Sequence, residues 1–204
     1  MSRPSVVLVD SGGTNIASVR FALDRMGVAC HLTSDAAVIQ AADRVILPGV
    51  GAAAQGMARL HAADLVGVLR DLTQPLLGVC LGMQLLFDGS EEDGGVECLG
   101  LIEGTVTAIT PGKDVRVPHM GWNTLSVDRQ DPLIRGLSNG DRAYFVHSYA
   151  APITGATLAS TWHGQDYAAV VRDGNRWGAQ FHPERSAAVG ATLLANFISE
   201  AVDE

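Results

Sequence analysis

The chain has 204 residues, 47% of them hydrophobic, enough for one core and consistent with a single domain over 1–204. A formal net charge of -8 with 18% charged residues excludes a non-specific grip on nucleic acid or anionic lipid and points to a small ligand. The apolar run near the start ends at Asp10, too short for a signal-peptide core or a membrane span, so a cytoplasmic protein is expected.

SVVLVD (5–10) reads as a buried strand, and Ile16, Val19, Leu23 and Met26 follow at helical spacing until Gly27 stops them. VACHLT (28–33) and DRVILP (43–48) predict two further strands. The Ala- and Leu-rich stretch from Gly51 to Leu72 predicts a helix, and PLLGV a fourth strand. This alternation favours an α/β fold with a mostly parallel sheet covered by helices on both faces. From about residue 94 the texture changes to short β-rich runs broken by Gly, Pro and Asp. VVRDGNRWGAQF reads as a hairpin, and residues 187–201 as a closing amphipathic helix. No repeat or linker separates the antiparallel portion, so it belongs to the same domain.

Three cysteines, Cys30, Cys80 and Cys98, are an odd number without CxxC spacing, which argues against a disulfide framework and a zinc site. Cys80 stands in GVCLG, between a strand and an apolar run of helical spacing. GxCxG is the cysteine form of the nucleophile elbow, in which small neighbours permit a strained turn that presents the side chain above the sheet edge. The amides of a helix from Leu81 onward would favour a thiolate. A free thiol with a pKa near ~8.5 is only about 3% ionised at pH 7, and making thiolate dominant takes roughly 2 kcal/mol. A helix terminus contributes about 0.3–1 kcal/mol, so a base or cation must also stand nearby. The alternative for Cys80 is a small buried hydrophobe. Cys30, mid-strand, and Cys98, in a Gly- and Glu-rich loop, read as packing or surface residues.

Among six histidines, His182 follows the apolar WGAQF and opens HPERS, at a strand end where a parallel sheet places its chemistry. Glu184, two residues on, is placed to orient its imidazole, the third-group logic of a triad; a capped turn with a solvated carboxylate is the plainer alternative. His147 in YFVHSY and His119 in PHMGWN have no acid within a few residues and read as pocket lining. His31, His61 and His163 read as surface or packing residues.

Together, GVCLGMQLLF and QFHPERS resemble the class I, or triad, glutamine amidotransferases, which use Cys, His and Glu in that chain order. Within that class, ILPGVGA (46–52), RVPHMGWN (116–123), YFVHSY (144–149) and LGLIEG (99–104) are similar to the glutaminase subunits of imidazole glycerol phosphate synthases, from histidine biosynthesis. The resemblance covers essentially the whole chain. It implies a flavodoxin-like three-layer sandwich, one type-1 amidotransferase domain, with an added antiparallel portion.

By the same resemblance, Cys80 is the nucleophile, His182 the acid/base and Glu184 its orienter. Gly49, Val50, Gly51 and Leu81 form the oxyanion hole, and Gln84, Glu92, His147, Ser148 and Tyr149 line the glutamine site. No cofactor or metal is implied. The implied partner is a cyclase subunit with a (βα)8-barrel fold, faced by Asn15, Pro118, Met120, Trp122, Asn123 and Arg185, which also gate the ammonia exit. Core burial is the alternative for Trp122. The chain has no GxxxxGK[ST] loop or dinucleotide fingerprint with which to use ammonia itself, consistent with an acceptor site on another chain. Thr14 in DSGGTN, Arg116 before VPHMGWN and Arg185 in HPERS depart from the usual family residues, and none lies in the triad. Another triad glutaminase and a non-catalytic interaction protein of the same fold are the competing readings.

Overall fold

In a computed structural model, which describes residues 4–10 and 16–199, the first strand shows how the sheet is built. β1 (Val6–Val9) is buried throughout, with Val6 and Leu8 in the core on one face and Val7 and Val9 in the core on the other. Successive strand side chains point to opposite faces, so an unbroken apolar run needs both faces covered. The helices that cover them follow in chain order: α1 (Ile16–Arg25), β2 (Cys30–Thr33), α2 (Ala36–Gln40), β3 (Arg44–Gly49), α3 (Ala53–Ala62), α4 (Leu65–Arg70) and β4 (Leu76–Cys80). α2 escapes the sequence reading because it is barely more than one turn, yet it is capped: the Asp35 carboxylate accepts from the amides of Ala37 and Val38.

The expected helix from Gly51 to Leu72 is two helices. The chain turns at Asp64, which adopts a left-handed φ of 55°. A straight 22-residue helix would extend about 33 Å, whereas the break lets Met57, Leu60, Leu65 and Leu69 all enter one core.

A second correction concerns the run after Cys80. It forms one turn, α5 (Leu81–Gln84), and then enters β5 (Phe87–Ser90). Residues 81–87 are buried on every side, and an apolar run without a polar face has no periodicity to separate helix from strand.

The second half continues with β6 (Val96–Glu97), β7 (Ile102–Ala108), β8 (His119–Thr124), β9 (Ser126–Val127), β10 (Arg142–His147), β11 (Tyr149–Ala150), β12 (Thr157–Trp162), β13 (Asp166–Asp173), β14 (Arg176–Ala179) and α6 (Ala187–Ser199). The main sheet has the order β2-β1-β3-β4-β14-β13-β12-β9. It is parallel from β2 through β14 and antiparallel beyond, with β13 and β14 forming the expected hairpin. The rest of the antiparallel portion forms a β10-β8 pair and a smaller sheet, β11-β7-β5-β6. This is the α/β architecture the sequence implies, with β14 returning a late segment beside β4. Ser11–Asn15, and with them the readings of Thr14 and Asn15, lie outside the described residues. No described helix is long and apolar enough to cross a membrane.

Candidate active site

Cys80 ends β4 and begins α5 with φ 54° and ψ -113°, a conformation that costs a non-glycine residue about 1–3 kcal/mol. The glycines of GVCLG explain how the turn fits. A Cβ on Gly82 would stand 1.8 Å from the Leu47 carbonyl oxygen in β3, and one on Gly78 would stand 2.5 Å from the Gly82 carbonyl oxygen. Only bare backbone lets α5 sit this deeply between β3 and β4, which presents the sulfur at the strand end. Because α5 is a single turn, its dipole is a minor aid to the thiolate.

The cation comes from the end of the chain. β14 is hydrogen-bonded to β4 in parallel, pairing Ala179 with Val79, and carries the chain to His182. The His182 amide donates to the Tyr144 carbonyl at 2.9 Å, and the Ser186 hydroxyl donates to the His182 carbonyl at 2.7 Å. In the turn that follows, Glu184 folds back so that Oε1 lies 2.9 Å from His182 Nδ1, both side chains being almost fully buried. A carboxylate only accepts, so Nδ1 donates to it, and Nε2 is the ring nitrogen left to interact with the Cys80 sulfur across the shared cavity. Burial by itself would lower the His182 pKa. The hydrogen bond to Glu184 and the close interaction with Cys80, with the charge of both, outweigh it and raise the value from 6.5 to about 10. His182 is therefore an imidazolium at neutral pH beside the sulfur, the nearby cation that the thiolate argument requires.

Cys80 and His182 share a cavity of about 220 Å³ with Val50, Gly51, Leu81, Gln84, Glu92, Val146, His147, Ser148 and Tyr149. It is smaller than the roughly 300–1,000 Å³ of drug-sized sites, which suits a small metabolite. Gly49 is the exception among the expected lining residues: it pairs with Cys80 across the β3–β4 ladder, behind Val50 and Gly51. Glu92 lines the cavity while its Oε2 accepts from the Ala53 amide at 2.6 Å, giving α3 the cap that Ala52 does not supply.

Gln180 has a place here that the sequence reading missed. It is fully buried, its Nε2 lies 4.0 Å from the Cys80 sulfur, and its Oε1 accepts from Gln84 Nε2 at 2.9 Å. The available signal was a lone amide inside the apolar run WGAQF.

Of the six residues expected at a partner surface, Asn15 is outside the described region. Pro118 is exposed, Met120 is 63% and Trp122 45% exposed, so Trp122 is not a core residue. Arg185, also exposed, holds its guanidinium 4.3 Å from the centre of the Tyr144 ring. Asn123 is half-buried and bonded to the Trp162 carbonyl. Cys98, read as a packing or surface residue, is fully buried, and burial with the charges of Glu92 and Glu97 pushes its thiol up to about 11.

The site also fixes a pH dependence. Burial, then the charges of His147 and His163, lower the pKa of His119 to about 3. Burial dominates for His147, lowered to about 4. Both are folded in the neutral form, so their contribution to stability is complete above 6.5 and is lost as pH falls toward 4, at up to about 1.4 kcal/mol per pH unit for each. His182 has the opposite sign: its contribution is complete below 6.5 and disappears as pH rises toward 10. Urea melts across pH are expected to show a broad maximum near neutrality. An unchanged midpoint between pH 7 and pH 5 would contradict neutral burial of the His119–His147 pair.

Comparison with known proteins extends these observations. A family model described as glutamine amidotransferase class-I matches residues 7–201. Proteins called imidazole glycerol phosphate synthase subunit HisH are similar over 193 residues, 95% of this chain and 96% of theirs: 57% identical in Xanthomonas axonopodis pv. citri and 54% in Xylella fastidiosa strain Temecula1. Among solved structures, a glutamine amidotransferase superposes with a TM-score of 0.73 at 20% identity, over 95% of this chain and 97% of that one. A chain of PurLQS from Thermotoga maritima does so with 0.71 at 19%, over 96% and 98%.

Proposed function

Because the chain belongs to the class-I glutamine amidotransferase family, we propose that Cys80, His182 and Glu184 are the triad with which it hydrolyses glutamine. It is the glutaminase subunit of an imidazole glycerol phosphate synthase, and as such works with a cyclase subunit. The observation that carries the triad is that one buried imidazole, His182, is hydrogen-bonded to Glu184 and shares the wall of a small cavity with the Cys80 sulfur.

The chemistry follows from those positions. The Cys80 thiolate adds to the side-chain carbonyl carbon of glutamine, forming a C–S bond and moving an electron pair onto oxygen. Val50, Gly51 and Leu81 line the cavity beside the sulfur, and in this reading their backbone amides are the fixed donors that stabilise the tetrahedral intermediate. His182 gives its proton to the nitrogen as the C–N bond breaks, releasing ammonia and leaving a glutamyl thioester. Water then attacks the thioester, His182 takes its proton, and breaking the C–S bond returns the thiolate and glutamate. Throughout, Glu184 holds the tautomer and offsets the imidazolium charge.

Free ammonia in neutral water is mostly protonated and loses its nucleophilic lone pair, so it passes directly to the cyclase. In this reading the cyclase is a (βα)8 barrel docked over Pro118, Met120 and Trp122, with Asn15, Asn123 and Arg185 at the margin, and the complex is cytoplasmic. An exposed apolar group of this kind is suited to burial by a partner. The test is glutamine hydrolysis by the purified chain with and without the cyclase subunit of its own organism. Strong stimulation is expected, and none would defeat the pairing.

A further inference from the structure

β8 alternates. Met120 and Trp122 face outward, while His119 and Asn123 turn inward, and His119 pairs directly with His147 of β10 across the strands. Elementary chemistry fixes the direction of each hydrogen bond in this region. The Tyr149 carbonyl only accepts, so His147 Nδ1, at 2.8 Å, donates to it. His147 is neutral at pH 7, so its Nε2 bears no proton and accepts from His119 Nδ1 at 3.1 Å. His119 is neutral too, so its Nε2 accepts from Asn123 Nδ2 at 3.1 Å. The Asn123 amide also donates to the Trp162 carbonyl at 2.8 Å, next to an exposed indole.

The run continues past the histidines. The Tyr149 carbonyl that accepts from His147 also accepts from Gln84 Nε2 at 2.8 Å, and Gln84 reaches Gln180, which sits beside the Cys80 sulfur. One connected set of buried polar groups thus links the outward-facing strand to the nucleophile. From Asn123 through His119 to His147, each donor in the run points toward the pocket.

We propose that His119 is a positioning residue for the glutamine pocket: the chain Asn123 to His119 to His147 holds the His147–Tyr149 segment in place and ties it to the strand that bears Met120 and Trp122. The proposal rests on the glutaminase reading above and on its assignment of that strand to the cyclase. A cyclase that grips Met120 and Trp122 acts on the same six-residue strand that supplies Asn123 and His119, so docking and pocket geometry are mechanically linked. Removing the His119 donor leaves a bare, buried acceptor on His147. With nothing donating to Nε2, the His147 ring is no longer held from that side and can turn that nitrogen toward water, which strains its bond to the Tyr149 carbonyl and loosens one wall of the pocket.

Nitrogen NMR of the ring resonances, recorded on the wild-type complex at pH 7, is expected to show both His119 and His147 with the proton on Nδ1. His119→Phe preserves a ring between Phe145 and His163 but donates nothing. It is expected to raise KM for glutamine about tenfold and to shift the His147 Nε2 resonance to that of an acceptor without a donor, the proton staying on Nδ1. His119→Asn places an amide nitrogen near the position of Nδ1 and is expected to restore most of the affinity. A purely structural role would affect both variants alike, and His119→Asn would then restore neither KM nor the Nε2 resonance. A wild-type His147 protonated on Nε2 overturns the proposal even if the variants do not fold, and so does a folded His119→Phe with wild-type KM and Nε2 resonance. A wild-type complex that hydrolyses no glutamine overturns the glutaminase reading instead, and the tautomer measurement tells the two failures apart.

Discussion

Replacing Cys80 by alanine is expected to lower glutamine hydrolysis by on the order of 10⁴-fold or more, while the complex continues to make product from added ammonium salt. The two halves of the result test different things. Loss of hydrolysis follows because the thioester path needs a thiolate, and alanine offers no nucleophilic atom at the strand end where the sulfur stood. A factor of 10⁴ is about 5.5 kcal/mol of transition-state stabilisation, the scale expected when a covalent path is removed rather than weakened. Retained ammonia use follows because the acceptor chemistry belongs to the cyclase, and because alanine keeps the Cβ and the packing of the elbow. Relief of the strained backbone is not expected, since alanine dislikes a φ of 54° as much as cysteine does. Measured glutaminase turnover within tenfold of wild type would rule out Cys80 as the nucleophile.

Gly82→Ala is expected to be among the most damaging single methyl groups at the described glycines. Its Cβ would lie 1.8 Å from a backbone oxygen of β3, and neither β3 nor α5 can yield by rotating a side chain. Overpacking that is relieved by side-chain shifts costs about 1–3 kcal/mol, so a clash between two pieces of backbone is expected to exceed about 3 kcal/mol and to push α5 away from Leu47. The same displacement would carry Cys80 and the Leu81 amide away from Val50 and Gly51, so residual folded protein is expected to be inactive as well. Gly67→Ala is the control. That glycine lies within α4 with nothing near its would-be Cβ, and alanine there is expected to stabilise by up to about 1 kcal/mol. Denaturant midpoints for the pair settle the matter: equal midpoints would show that the close approach of α5 to β3 is not what holds the elbow.

How much of this was readable in advance divides along sequence separation. GVCLG announces a tight strand-to-turn junction because Gly78 is needed by the backbone of Gly82, only four residues on in the same motif. HPE announces an oriented histidine because Nδ1 and the carboxylate sit two positions apart and meet at 2.9 Å with no help from distant strands. β1, β3 and β4 were equally plain, since a strand buried on both faces must be apolar at every position. The turn at Asp64 and the switch from α5 into β5 were not. In both places the local pattern permits a continuous helix, and the competing shape wins only because it puts residues such as Leu65 and Phe87 into a core assembled by other segments.

What the chain by itself determined, then, is which groups are chemically suited to the site: a cysteine between glycines, a histidine with its own carboxylate, and small residues at the end of β3. What only the tertiary structure decided is which of the remaining polar groups reach them. Gln180 lies about a hundred positions from Cys80 and meets it because β14 inserts beside β4. His119 meets His147 through the register of β8 on β10, and Glu92 caps a helix that begins thirty-nine positions earlier. Such contacts are set by strand order and register, which arise from the summed burial of many side chains and leave no mark on any one short stretch of sequence.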